Sequence, residues 1–455
     1  MDALTPHAWT RRTSALLLAL AGCTGLKPGD DLRDAAIDVH DADPDTHDAC
    51  ADPPIGDCPP LCLRPRVIAG QPFTGVGRVV SGDETWTCDN LWILEDDTYV
   101  QRGTLRIEAG TLVLAEPDAA LVIANNARLV VEGERDAPVS IRPPSDYAPG
   151  DEWRGLYMLG NAPVLNDDGD RVTRSFSDLN GDRSTHGGDD PEHDCGSLRY
   201  LRLEFGGGGP DLEGEGLFMG GCGSATTVDY VQVHETADDA FVIHGGGFDI
   251  RHLVITASDQ DALQWERGWN GTVQHYVGHM SVASNYAVVQ AEGPLNTAEP
   301  MSSGVVANLT AVGTGLRGPA ILVNGSSLRV GNSIAVVREA VLNVDSRHSD
   351  RWDFDEVSVL GSVLNSQTTD IFEDPEVEAI YQPPAMGNSD DPAGLPDTGT
   401  VLRSNISWRP ADGSVAFDDR DPITGVEPTR YAGAIDPTAE LAWTEGWLYL
   451  LGRPP

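Results

Sequence analysis

Asp238 and Asp239, then Asp259 and Asp261, with His244 and Glu266 close by, are the acid–base residues of this 455-residue chain whose spacing best suits joint chemistry. Asp239 and Asp261 are 22 positions apart. If that interval is one turn of a stacked repeat, their carboxylates lie about 5 Å apart on one face. A retaining glycoside hydrolase uses two carboxyls at such a separation, one as acid and one as nucleophile. The same residues also suit a simpler role, because short aspartate side chains such as those of Asp238 and Asp259 accept turn amides. Trp265 and Trp269, in QWERGWNG, flank the acids. Exposed, they offer flat apolar faces to a sugar ring, with His244 and Glu266 as hydrogen-bonding neighbours; buried, they cap a loop.

A second candidate lies in the polar excursion from Leu165 to Cys195. Asp178, Asn180 and Asp182 have the alternating oxygen-ligand spacing of a calcium loop, and Asp167, Asp168 and Asp170 offer another set. The pattern departs from an EF-hand, since Gly181 precedes Asp182 and the twelfth position is Asp189. A solvated loop is the alternative. His252 and His275 fall at nearly equivalent repeat positions, and His234 and His279 lie nearby. Stacked repeats align like residues without a ligand, so these read as a ladder rather than a metal site.

The elements that hold such residues are short strands. In GTLRIEAGTLVLAEPDAALVIANNARLVVEGERDAPVSI, apolar pairs two residues apart recur at Leu105/Ile107, Leu121/Ile123, Leu129/Val131 and Val139/Ile141, separated by Gly and Asn turns. The segments ADDAFVIHGG, DQDALQWERG, SNYAVVQAEG, RGPAILVNGS and VREAVLNVDS superpose on Ala240, Ala262, Ala287, Ala320 and Ala340, at intervals of 22, 25, 33 and 20. A second strand precedes each, at Leu201/Leu203, Val231/Val233, Leu253/Ile255, Leu309/Ala311 and Ile334/Val336. This predicts an all-β solenoid, a right-handed parallel β-helix with an N-terminal cap, loop insertions and a C-terminal cap. The longest interval is one coil carrying the loop EGPLNTAEPMSS.

The blocks EWRGLYMLGNAP, LRYLRLEFGGGG, TTVDYVQVHETADDAF and GAIDPTAELAWTEGW resemble the right-handed parallel β-helix lipoproteins of bacterial envelopes. That resemblance implies a fold and a location. In outline DDAFVIHGG also resembles the aspartate-pair segment of polygalacturonases, without their Gly-His-Gly and Arg-x-Lys segments. Location has its own signal: Arg11-Arg12, the apolar run ALLLALAG and the lipobox Leu20-Ala21-Gly22-Cys23 predict a signal peptide over 1–22 and lipidation of Cys23. Residues 23–64, rich in Asp, Ala and Pro, read as a disordered spacer, and 65–455 as the β-helix domain. Besides Cys23 six cysteines remain, an even set suited to an oxidising compartment. Cys195 is expected to pair with Cys222. Cys50, Cys58, Cys62 and Cys88 fall around the N-terminal cap with their pairing open, and Cys58-x3-Cys62 also has metal-like spacing.

The chain carries 71 acidic residues against 30 basic ones, a formal charge of −41, with lysine only at Lys27. That balance argues against nucleic acid as a partner, which needs cations to neutralise phosphates. The expectation is a lipid-anchored extracytoplasmic protein of the outer membrane or cell surface. It would bind carbohydrate or another envelope component, or serve as a structural or adhesive rod. The alternative is a polysaccharide hydrolase or lyase using Asp238, Asp239, Asp259 and Asp261.

Overall fold

The computed structural model describes residues 78–144, 152–209, 214–280, 285–297, 301–313, 318–337, 340–344, 357–366 and 407–450, with short pieces at 64–65, 388–389 and 395. Cys23, the expected signal peptide, the expected spacer up to residue 63, Cys50, Cys58 and Cys62 lie outside these residues. The described residues hold 25 strands and one short helical turn, Val415–Phe417. Strand pairs with strand in parallel throughout, coil upon coil, which makes a right-handed parallel β-helix.

Three faces run the length of the rod. Face A holds four- and five-residue strands, among them Gly155–Leu159, Leu217–Gly220, Phe241–His244, Leu263–Glu266, Val289–Glu292 and Ile321–Asn324. Faces B and C are the two halves of longer strands, such as Gly196–Glu204, Thr227–His234, Asp249–Thr256 and Thr272–His279, which bend in the middle. The bend has a single cause. Tyr200, Tyr230, His252, His275, Asn308 and Asn332 all adopt the left-handed conformation, with φ from 46° to 60°. Gly361 takes the same corner one coil later at φ 56°. An L-residue there resists this conformation, so the stack must hold it. Successive rings do so, at 4.3 Å for Tyr200–Tyr230, 4.2 Å for Tyr230–His252 and 5.0 Å for His252–His275.

Inward residues alternate along every strand and fill one continuous core, from Val80 through Leu201, Val231, Leu253 and Tyr276 to Leu364. Each fully buried Val, Leu or Ile contributes about 1.5–3 kcal/mol relative to exposure. The register corrects two alignments drawn from the alanines. Ala240 lies beside Ala262, but the next coil pairs Leu263 with Val289, so Val288 rather than Ala287 takes the inner position. Likewise Ile334 pairs with Thr310, not Leu309.

Two segments wrap the rod. The excursion after Leu159 covers the outward side of face A, packing Leu179 and Phe176 on Tyr157, Phe218 and Val242. Residues 407–450 run back along the corner between faces B and C and touch both. There side-chain amides grip the tail's backbone: Gln274 exchanges two hydrogen bonds with Glu427, at 2.7 and 2.9 Å, and Gln232 does the same with Tyr449, at 2.5 and 2.8 Å. Trp447 meets the ring of Tyr200 edge-on at 5.5 Å. Cys195 and Cys222 form the expected disulfide, with Cα atoms 5.6 Å apart, and Cys88 is also disulfide-bonded.

Candidate functional site

The turn that leads into face A carries a column of carboxyls. Because Leu217, Phe241 and Leu263 are in register, Glu215, Asp239 and Asp261 occupy the same position, two residues earlier, on three consecutive coils. Asp239 Oδ1 accepts the Asp261 amide at 2.8 Å, and Asp261 Oδ1 accepts the Ala287 amide at 2.5 Å. Glu215 Oε2 accepts the Tyr157 hydroxyl at 2.8 Å. Burial raises all three pKa values. Asp239 is pushed up to about 8, by burial and then by Asp261. Asp261 is pushed up to about 7 by burial, with Glu292 and Asp238 adding to it. Glu215 rises to about 7, again mainly by burial. Asp238 Oδ1 accepts the Asp239 amide, while Asp259 is exposed at the turn. Asp239 and Asp261 are thus brought together, each tied to the next coil.

On the face itself His244 and Glu266 are paired across coils, and Nε2 of His244 meets Oε1 of Glu266. Arg267 adds a contact to Glu266 Oε2 at 3.3 Å. Burial alone would raise Glu266, but His244 and then Arg267 and Arg174 outweigh it and hold the carboxyl at about 2. His186, from the excursion, donates through Nδ1 to the Ser184 carbonyl at 3.3 Å, and its ring lies 5.9 Å from that of His244. Burial, then His244, lowers its pKa to about 3. Beyond this pair the outward residues are half-exposed and polar: Gln264 lies beside Gln290, and Glu292 beside Asn324. Glu292 Oε1 accepts from Gln290 at 3.0 Å and from Asn324 at 3.3 Å. Two loops frame this surface and are bonded to each other, Asn296 donating to Asp168 Oδ1 and to the Asp167 carbonyl, both at 2.8 Å.

One expectation needs correction, and the loop and histidine residues take the places given after it. Trp265 and Trp269 are wholly buried and offer no face to a sugar. Trp265 points inward from its strand, donates to Ser326 Oγ at 3.2 Å, and lies 5.0 Å from Trp269. In the expected calcium loop, Asp178 Oδ2 receives Arg154 Nη1 at 2.9 Å, the Asn180 carbonyl accepts two loop amides, and Asp182 faces solvent. Among the described residues no three His, Cys, Asp or Glu side chains gather as a metal site. His252 and His275 are neighbours in the corner stack, whereas His234 and His279 are two coils apart with Thr256 between them. Glu215, His186, Arg174, Arg267 and Glu292 complete the site without having been expected there.

A profile of the pectate-lyase-like β-helix domain matches residues 77–378, more than half of the chain. The chain belongs to this family. The match spans the carboxyl column, His244 and Glu266 of this pectate-lyase-like protein, and ends before the tail at the corner of faces B and C. No curated protein matches it. Among solved structures, the full-length tailspike protein 2 of Escherichia coli O157:H7 bacteriophage CAB120 is similar at 12% identity and a TM-score of 0.29, over 61% of this chain and 38% of its own.

Proposed function

We propose that this β-helix is a lipid-anchored protein of a bacterial envelope that binds a polysaccharide along face A. The observation that carries the reading is the polar register beyond His244. Gln264 and Gln290, then Glu292 and Asn324, repeat hydrogen-bonding groups coil by coil on a half-exposed surface. Two insertion loops held to each other frame that surface. A polymer with recurring hydroxyls matches a surface with recurring acceptors and donors, and membership of a pectate-lyase-like family supports a polysaccharide as ligand. A glycan array tests this: the wild type should retain at least one glycan, and Gln290→Ala with Asn324→Ala should weaken it about tenfold through lost hydrogen bonds. Absence of any bound glycan would overturn the reading in favour of an adhesive or structural rod.

A second reading, a glycoside hydrolase or lyase, is favoured by one observation. Asp239 and Asp261 both hold protons near neutrality, as a general acid must. Their bonds to the Asp261 and Ala287 amides favour the binding reading. Attachment rests on the lipobox at Cys23. Labelling with a fatty acid should mark the wild type and not Cys23→Ala, and label retained by the variant would remove the anchor from the proposal. Calcium in the Asp178–Asp182 loop also belongs to the proposal, supported by ligand spacing alone and tested by melting with calcium against chelator.

A further inference from the structure

The tail lies over four histidines, His252 and His275 at the corner and His234 and His279 on face C. Trp443 meets the His252 ring at 5.0 Å and Tyr449 meets that of His234 at 5.4 Å, both edge-on. Trp408 Nε1 donates to His279 Nδ1 at 3.2 Å, and His275 bonds to the Ala434 backbone. The tail also covers Val254, Val277 and Val312, outward residues that cluster with Trp408, Ala434 and Ile435. Four tail amides are fixed by the rod: Glu427 by Gln274 at 2.9 Å, and Gly433 by the Asn332 carbonyl, Ala434 by Thr310 and Tyr449 by Gln232, each at 2.8 Å.

Two of these histidines must be uncharged for the tail to sit this way. An indole N–H only donates, so His279 Nδ1 must keep its lone pair, and a proton there would set two donors against each other. Both rings are buried, so solvent does not replace the bond. His275 is stacked at 5.0 Å on His252, which Asp229 Oδ1 pairs at 2.7 Å. Burial, then His252 and Arg251, lower the pKa of His275 to about 4, against the Ala434 bond and Asp436, which raise it. Arg251 is itself paired with Glu427 at 3.1 Å, and Asn308, at the corner of the next coil, is neutral. Beside His279 in register lie Thr256 and Val312, both uncharged, and Glu235 is two coils away beside His234. Arg409, which follows Trp408, bonds to the Pro437 and Ala439 carbonyls.

A detached tail returns His275 to the ordinary value of 6.5, whereas the seated tail holds it at about 4. The seated state therefore binds fewer protons between these values, and its stability, complete above about pH 6.5, is lost as pH falls through the window. The raised carboxyls Asp239 and Asp261 act in the opposite sense and strengthen the coils as pH falls. Acid thus loosens the tail and not the rod.

We infer that the tail is an acid-released strap: protonation of His275 and His279 unseats it and uncovers Val254, Val277 and Val312, while the coils beneath stay folded. This does not rest on the glycan reading of face A.

Hydrogen exchange of the full chain at about pH 7.5 and about pH 4.5, corrected for the intrinsic pH dependence of amide exchange, tests it. The amides of Glu427, Gly433, Ala434 and Tyr449 should exchange about tenfold or more faster at the lower pH. Those of Leu217–Gly220 and Phe241–His244 should exchange no faster. His275→Asn combined with His279→Asn should hold the acceleration within about threefold. Asparagine already occupies the corner at Asn308 and Asn332, and its side-chain oxygen accepts the Trp408 N–H without titrating. If the double variant leaves the tail unprotected at about pH 7.5, His279→Asn alone decides, and should reduce the acceleration by about threefold or more. Tail amides indifferent to pH, coils that loosen together with the tail, or an acceleration unchanged in the variants would overturn the inference.

Discussion

Asp239 accepts the backbone amide of Asp261 at 2.8 Å, from one coil to the next, while the Asp261 carboxyl adds to the cost of ionising Asp239. The relationship that aligns them for chemistry is therefore also a stitch between coils. A proton on either one relieves the repulsion without breaking the amide bond.

Stability should consequently depend on pH in a definite direction. The folded pKa values, about 8 for Asp239 and about 7 for Asp261, lie above the unfolded value of 3.8. The folded state therefore binds more protons than the unfolded one between about pH 4 and 8, and stability falls as pH rises through that window. Asp239→Asn keeps the Oδ1 acceptor and removes the charge. Melting temperature for this variant should exceed wild type at pH 8.5, by the equivalent of about 2 kcal/mol after discounting for partial exposure, and differ little at pH 4. A variant no more stable than wild type at pH 8.5 would show that the column is solvated rather than strained.

Trp265 should behave as core. Trp265→Ala is expected to cost about 3–5 kcal/mol by leaving a cavity under face A, measured by urea unfolding. The complementary change is Gly304→Ala, whose new Cβ would stand 2.5 Å from the Trp265 ring, and overpacking should cost about 1–3 kcal/mol. If both variants keep wild-type stability, Trp265 is free to leave the core, and its exclusion from ligand contact fails with it.

Replacing Cys195 and Cys222 together with alanine frees a loop of 27 residues in the unfolded chain. A loss of about 3 kcal/mol is expected from restored chain entropy. Denaturant midpoints of oxidised wild type and the double variant measure it.

How far the chain discloses itself depends on which interactions are periodic. Two-residue alternation gives the strands, and it places Trp265 with Leu263 on the inner side of Leu263–Glu266, opposite Gln264 and Glu266. Trp269 lies past the strand, where no alternation reports its direction. The 22-residue interval is enough to align Asp239 with Asp261. Glu215 escapes because it follows a glycine-rich turn and lies 24 positions before Asp239, so only the pairing of Leu217 with Phe241 reveals it. At Ala287 the coil gains a residue, and a motif centred on alanine slips by one. His186 reaches His244 from an excursion whose path over face A is set by Phe176 and Leu179 packing on outward aromatics, contacts that carry no period.

Face A remains the place where binder and enzyme separate. If its carboxyls are catalytic, Asp239→Asn or Asp261→Asn should abolish cleavage of a glycan identified on the array, because an amide neither donates a proton as an acid nor attacks as a nucleophile. Binding of that glycan should then persist within about tenfold, since the polar row at Gln264, Gln290, Glu292 and Asn324 is intact. If the face only binds, wild type should release no new reducing or unsaturated ends over long incubation, and Glu292→Gln should cost more affinity than Asp239→Asn, because Glu292 is half-exposed beside the row while Asp239 Oδ1 is occupied by the Asp261 amide. Chromatography of the products, run beside equilibrium binding on the same variants, decides between them. Cleavage that survives both Asp239→Asn and Asp261→Asn would place the chemistry elsewhere, with the His244–Glu266 pair as the next group to substitute.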